Sequence, residues 1–224
     1  MKCDKQTMLL YAVTDRAWTG EKSLYRQVEE ALKGGITCLQ LREKHLDRDL
    51  FLQEAVEICK LCKSYNVPFI VNDDVEIAIK SGADGVHVGQ DDMSVGRVRR
   101  LVGENMIIGV SAHSVDEALA AAAGGADYLG VGAMFGSATK TDANVTSKDT
   151  LKEICRAVDL PVVAIGGINK SNILQLTGRG MDGFAMVSAI FAAEAPEAAS
   201  RRLYELSGQC KILRSLSRQA VSGK

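Results

Sequence analysis

Eight times along this chain a short run of apolar residues gives way to a segment whose apolar positions recur every three to four residues. That alternation constrains the fold more than any motif. A strand joined through a helix to the next strand lies parallel to it, and continuous apolar runs suit strands covered on both faces. Met8 to Val13 is the first run and stops at Thr14-Asp15-Arg16; Leu24, Val28, Ala31 and Leu32 then recur at helical spacing, and Gly34-Gly35 supplies the stop. Ile36 to Leu41 follows, breaking into Arg42-Glu43-Lys44-His45, with Leu52, Ala55, Cys59 and Cys62 marking the next helix.

The third and fourth runs, Pro68 to Val71 and Gly85 to Val88, both end in carboxylates, and a short helix closed by Gly82 joins them. Beyond them the spacing predicts a helix over Ser94 to Val102, a strand over Met106 to Val110 and a helix opened by Ser114-Val115-Asp116-Glu117. In that capping box the Ser and Glu side chains can satisfy each other's free backbone donors. Tyr128 to Val131, a helix near Ser147 to Val158, the run Pro161 to Ile165, a helix near Lys170 to Leu176, the run Gly183 to Val187 and a last helix from about Ala189 to Leu206 complete the series.

A weak internal repeat punctuates it. Gly82-Ala83-Asp84-Gly85, Gly125-Ala126-Asp127-Tyr128 and Gly180-Met181-Asp182-Gly183 each precede an apolar run. Eight β-α units in 224 residues predict an α/β fold, a (β/α)8 TIM barrel, as a single domain over residues 1–224. A doubly wound open sheet is the rival, but no Gly-x-Gly-x-x-Gly follows the first strand.

A net charge of -1 leaves no global basic field, which argues against nucleic acid or an anionic membrane as partner. Small anions must then be caught locally. The six cysteines are dispersed and imply no disulfide framework; Cys59-Lys60-Leu61-Cys62 has redox or zinc spacing but sits in an apolar-periodic helix, where packing explains it. The start lacks the apolar run of a signal peptide and no segment is long enough to span a bilayer, so a cytoplasmic protein is expected.

In barrels of this class the site lies on the loops after the strands. Gln40, Arg42 and Lys44 alternate out of one strand onto one face, with Leu41 and Glu43 on the other; two cations and an amide suit a diphosphate, against the alternative of a solvated loop. Asn72-Asp73-Asp74 and Asp91-Asp92 should emerge side by side, where gathered acids suggest a divalent cation. Ile165-Gly166-Gly167-Ile168 and Met186-Val187-Ser188 suit a phosphate held by backbone N–H groups, against a plain turn. The long segment Gly132 to Asn144 has no apolar period, which suits a lid or surface disorder. His87 lies inside a strand and reads as a satisfied core histidine; His113 follows Ser111 near the barrel mouth.

Taken in order, Val13-Thr14-Asp15-Arg16, Gln40-Leu41-Arg42-Glu43-Lys44, Val71-Asn72-Asp73, His87-Val88-Gly89-Gln90-Asp91-Asp92, Gly109-Val110-Ser111, Gly130-Val131-Gly132, Thr139-Lys140, Ala164-Ile165-Gly166-Gly167-Ile168 and Val187-Ser188-Ala189-Ile190 span nearly the whole chain. In this order they resemble the thiamine phosphate synthase family. The resemblance implies a transferase that joins aminomethylpyrimidine-methyl diphosphate to a thiazole-ethyl phosphate, carboxylated or not, making thiamine phosphate and diphosphate. Small molecules are then the partners, and a homo-oligomer is left open.

By matching motif, Gln40, Leu41, Arg42, Glu43, Lys44, Asn72, Ser111 and Lys140 would hold the pyrimidine diphosphate, with Arg42, Lys44, Ser111 and Lys140 catalytic. Asp73 and Asp92 would ligate Mg2+, and Ser137, Ala138, Thr139, Gly167, Val187 and Ser188 would take the thiazole phosphate. The family usually has prolines where this chain has Ala133 and Gly136, and often Thr where it has Ser137, which predicts a looser lid. Related barrels that isomerise the thiazole or act in regulation tend to lose the diphosphate and metal residues that this chain keeps.

Overall fold

A computed structural model describes residues 3–20, 22–136 and 145–222, with side chains to residue 213. Its eight strands are β1 (Leu10–Val13), β2 (Cys38–Leu41), β3 (Phe69–Asn72), β4 (Gly85–Val88), β5 (Ile107–Ala112), β6 (Tyr128–Val131), β7 (Val162–Ile165) and β8 (Gly183–Met186). Each pairs in parallel with its sequence neighbour, and β1 pairs with β8, closing the barrel. The helices outside it are α1 (Leu24–Lys33), α2 (Arg48–Ser64), α3 (Val75–Ser81), α4 (Val95–Val102), α5 (Val115–Ala123), α6 (Lys148–Ala157), α7 (Ser188–Phe191) and α8 (Pro196–Ser222). Among the described residues no helix is long and apolar enough to cross a membrane.

Ser114 caps its helix where the sequence placed a cap, and Ser23 and Ser147 cap two others. Ser23, Ser114 and Ser147 accept hydrogen bonds from the amides of Arg26, Glu117 and Thr150, each typically contributing about 1 kcal/mol to its helix. Gly82 ends α3 at φ 70°, a left-handed conformation that only glycine adopts without cost. The capping box is completed differently from the expectation. Glu117 accepts from the amide of His113, one residue before the cap, at 2.7 Å.

Two expected helices are also corrected. Between β7 and β8 only a 3₁₀ turn forms, Ile173–Leu176. Asn169 Oδ1 accepts from the Ser171 amide at 2.9 Å, and Asn172 Oδ1 accepts from the Asn169 amide at 2.8 Å, so side chains offer the backbone a turn in place of a helix. The last helix is split into α7 and α8, the break falling ahead of Pro196, which suits a helix start but not a helix interior.

Two cores result. Leu39, Leu41, Val71, Val86, Ile108, Leu129 and Ala164 point outward and pack against the helices, while Met8, Tyr11, Cys38, Ile70, Ile107, Tyr128 and Val163 fill the barrel interior. The repeated Asp has a structural role. Asp84, Asp127 and Asp182 accept from the backbone amides of Phe69, Ile108 and Val162, and their own amides donate to the carbonyls of the same three residues. Thr37 does the same to Leu10 with its hydroxyl and its amide. Every second strand is thus clamped to its predecessor at the end of the barrel opposite the mouth.

Candidate active site

The cleft opens at the C-terminal ends of the strands, and its floor is the polar part of the barrel interior. Gln40, Arg42, Asn72 and Ser111 line it from β2, β3 and β5, and Gly167, Val187 and Ser188 line it after β7 and β8. Strand closure therefore brings together expected site residues far apart in sequence. Ser137, Ala138, Thr139 and Lys140 lie outside the described residues.

The β2 end divides as its alternation predicts. Leu41 is fully buried in the outer core, and Glu43 turns its carboxylate to Arg16 Nε at 2.7 Å, so neither side chain faces the cleft. Burial alone would raise the Glu43 carboxyl. Hydrogen bonds from Arg16 and from the amides of His45 and Lys44 outweigh it and hold the group below its ordinary value. Arg16 also forks onto both oxygens of Glu54 at 2.7 and 2.8 Å, which ties the loop after β1 to α2. Thr14 stitches the same loop to β2, accepting from the Arg42 amide at 3.0 Å, so the Arg42 backbone is held while its guanidinium reaches the cleft, 3.9 Å from Asp15.

Lys44 departs from the expected common face. It is not among the cleft-lining residues; its ammonium sits on Asp73 at the adjacent strand end. Asp73 holds a left-handed φ of 63°, which costs a non-glycine residue about 1–3 kcal/mol and is typical of functional positions. Asp74, by contrast, caps α3 through the Ile77 amide. Asp92, after β4, is exposed and accepts from the Gly89 amide at 2.7 Å.

Whether these acids fit Mg2+ follows from their chemistry. Among the described residues no group of three or more His, Cys, Asp or Glu is arranged to hold a metal. Two carboxylates on neighbouring strand ends are nevertheless the protein share usual for Mg2+, which draws its remaining oxygens from phosphates and water. Asp73 and Asp92 fit an ion that arrives with a diphosphate.

On the opposite side, Gly166 and Gly167 have φ of 99° and 64°, and a Cβ on Gly167 would come within 2.6 Å of the Gly136 carbonyl oxygen. Packing against the segment after β6 therefore demands glycine here whether or not an anion binds. Val187 precedes the four-residue α7, matching the short extra helix after the last strand that carries phosphate in many such barrels.

Sequence reading missed the floor. Gln40 Nε2 donates to Tyr11 Oη at 2.8 Å, Tyr11 Oη meets Tyr128 Oη at 2.7 Å, Tyr128 Oη meets His87 Nδ1 at 2.9 Å, and His87 Nε2 meets Ser111 Oγ at 3.0 Å. His87 is satisfied and buried as expected, yet it also lines the cleft. The available signal was a polar residue at an inward position of an otherwise apolar strand. His113 lines the cleft too, with Nδ1 3.2 Å from Glu117. Cys59 and Cys62 are buried packing residues whose thiols are pushed up by burial.

A family model described as thiamine monophosphate synthase matches residues 10–190. The chain belongs to the thiamine monophosphate synthase family. It is accordingly a transferase of thiamine biosynthesis. The thiamine-phosphate synthase of Clostridium acetobutylicum is 45% identical over 197 residues, covering 88% of this chain and 93% of that protein. That of Clostridioides difficile is 48% identical over 190 residues, 85% of this chain and 90% of the other. Among solved structures, thiamine phosphate pyrophosphorylase from Pyrococcus furiosus matches with a TM-score of 0.86 at 36% identity, covering 92% of this chain and 98% of that one.

Proposed function

We propose that this chain condenses 4-amino-2-methyl-5-(diphosphooxymethyl)pyrimidine with a thiazole-ethyl phosphate, the diphosphate lying toward the ends of β2–β5 and the thiazole phosphate toward those of β7 and β8. The observation that carries the reading is the asymmetry of the mouth. One side offers Arg42 in the cleft, with Lys44 on Asp73 and the Asp92 carboxylate on the adjoining loops outside its lining, and the other offers glycine backbone and the start of a short helix.

In the reaction the methylene carbon–oxygen bond breaks and diphosphate departs with the electron pair. The lone pair of the thiazole nitrogen then forms the new carbon–nitrogen bond. Arg42 and Lys44 absorb charge that builds on the leaving group, as does Lys140, and Ser111 contributes a hydroxyl; preorganised donors of this kind act where charge develops. Asp73 and Asp92 would hold Mg2+, which when bound supplies further neutralisation of the diphosphate. The amide of Gly167 and the residues Val187 and Ser188 orient the second substrate, with Ser137, Ala138 and Thr139 assigned to the same phosphate by motif. No side-chain nucleophile is required. A cytoplasmic setting suits six cysteines that form no disulfide.

The test mixes the purified protein with both phosphorylated substrates and Mg2+ and follows thiamine phosphate and diphosphate by chromatography. Equimolar formation of the two supports the assignment. Isomerised thiazole without thiamine phosphate, or no turnover, would overturn it.

A further inference from the structure

The floor of the cleft is a continuous chain of hydrogen bonds from Gln40 to Ser111. Gln40 Nε2 donates to Tyr11 Oη, and between Tyr11 Oη and Tyr128 Oη either hydroxyl can be the donor. When Tyr11 is the donor of that pair, Tyr128 has its single proton left for His87 Nδ1. An imidazole that accepts at Nδ1 carries its proton on Nε2, and that proton goes to Ser111 Oγ. Ser111 is thereby made an acceptor toward the protein, and its hydroxyl proton is left for the cleft. Burial holds both phenols well above their ordinary value, so each remains a one-proton donor throughout.

The barrel is shaped around this chain. His87, Gly109 and Tyr128 are register partners on β4, β5 and β6. Glycine on the middle strand lets the two rings meet, with centroids 5.5 Å apart. A Cβ on Gly109 would lie 2.1 Å from Tyr128 Cζ, and one on Gly130 would lie 3.2 Å from His87 Cε1. Ser111 is held from its other side as well, its carbonyl accepting from Gln90 Nε2 at 2.6 Å.

We propose that Tyr128 and His87 are positioning residues that lock the Nε2–H tautomer of His87 and so present the Ser111 hydroxyl as a hydrogen-bond donor to the departing diphosphate. The last link rests on the function proposed above; the tautomer does not. Neither residue touches the reacting atoms in this assignment. Both act through Ser111.

The chain has three histidines, so 15N-labelled imidazoles are resolvable, with His87→Gln identifying the signals of His87. In the unliganded wild type, His87 is expected to be neutral with its proton on Nε2. Tyr128→Phe, which keeps the ring and removes only the hydroxyl, should abolish the single tautomer, whereas Ser111→Ala should preserve it. A predominant Nδ1–H tautomer or an even mixture in the wild type overturns the proposal without any variant and regardless of whether the enzyme turns over.

Kinetics test the link to Ser111. Tyr128→Phe should lower kcat by up to about a hundredfold, below the loss from deleting a donor outright, with KM for the pyrimidine diphosphate little changed. Adding Tyr128→Phe to Ser111→Ala should then cost nothing further, since residues acting as one unit are not additive. Full additivity of the two losses would show that Tyr128 acts through packing, and would overturn the assignment.

Discussion

Gly109→Ala places one methyl group where the interior has no room. The new Cβ would stand 2.1 Å from Tyr128 Cζ, 2.3 Å from its Oη and 2.4 Å from Cε1. These are overlaps with the middle and end of a rigid ring. Tyr128 is fully buried and its hydroxyl is engaged by Tyr11 and His87, so the ring has no open side to move into. Overpacking a filled core costs about 1–3 kcal/mol, and each buried hydrogen bond lost as the ring is displaced adds about 1 kcal/mol. A total of about 2–4 kcal/mol corresponds, for a chain of this size, to a melting temperature lower by roughly 5–15 °C. Gly96→Ala is the control: a Cβ there meets nothing within 4 Å, and the residue lies in α4. It should stabilise by about 0.4–1 kcal/mol through a less flexible unfolded chain. Calorimetric or circular-dichroism melts of the two variants at equal concentration make the comparison. A Gly109→Ala melting temperature at or above that of the parent would refute the packing argument for the barrel interior.

Asp73→Ala and Asp92→Ala should each lower turnover by at least roughly a hundredfold, and Mg2+ should bind measurably by calorimetry only when diphosphate is present; full activity of either variant in EDTA would sink the metal assignment. Arg42→Ala should weaken binding of the pyrimidine diphosphate far more than that of the thiazole phosphate, and equal losses would mean the two ends are reversed. Lys140→Ala should depress kcat by roughly ten- to a thousandfold, the range for one contact to a developing anion, and an unchanged single-turnover rate would make it an ordinary surface lysine. Glu43 has a folded-state pKa below its ordinary value, so its contribution to stability is present above the unfolded pKa and lost as pH falls through the folded one. Glu43→Gln should therefore flatten the loss of melting temperature on acidification, and a slope identical to the parent's would contradict the coupling to Arg16.

What the sequence by itself determined is whatever depends on neighbours a few residues apart. Runs such as Gly85–Val88 and Tyr128–Val131 are strands to the residue, Ser23, Ser114 and Ser147 cap helices through amides three residues on, and Gly82 stops α3. The eightfold alternation then leaves the closed parallel barrel, and a barrel places Gln40, Arg42, Asn72, Ser111 and Ser188 at one mouth. Local reading failed where local forces competed, as at Asn169 and Asn172, whose side chains turn a periodic segment into a 3₁₀ turn.

Tertiary structure alone decided which inward side chains meet across the barrel. Tyr11 and Tyr128 are 117 positions apart, and His87 and Ser111 are 24. Their contacts depend on the stagger with which the strands close and on a glycine at Gly109 that no periodicity marks. The same closure gave the repeated Asp its meaning, since the amide that Asp84 satisfies belongs to Phe69 on the preceding strand. It also drew Lys44 off the face it shares with Arg42 and onto Asp73. Side-chain period is a property of one strand; partnership between strands is set by register and shear, and those exist only once the sheet has closed.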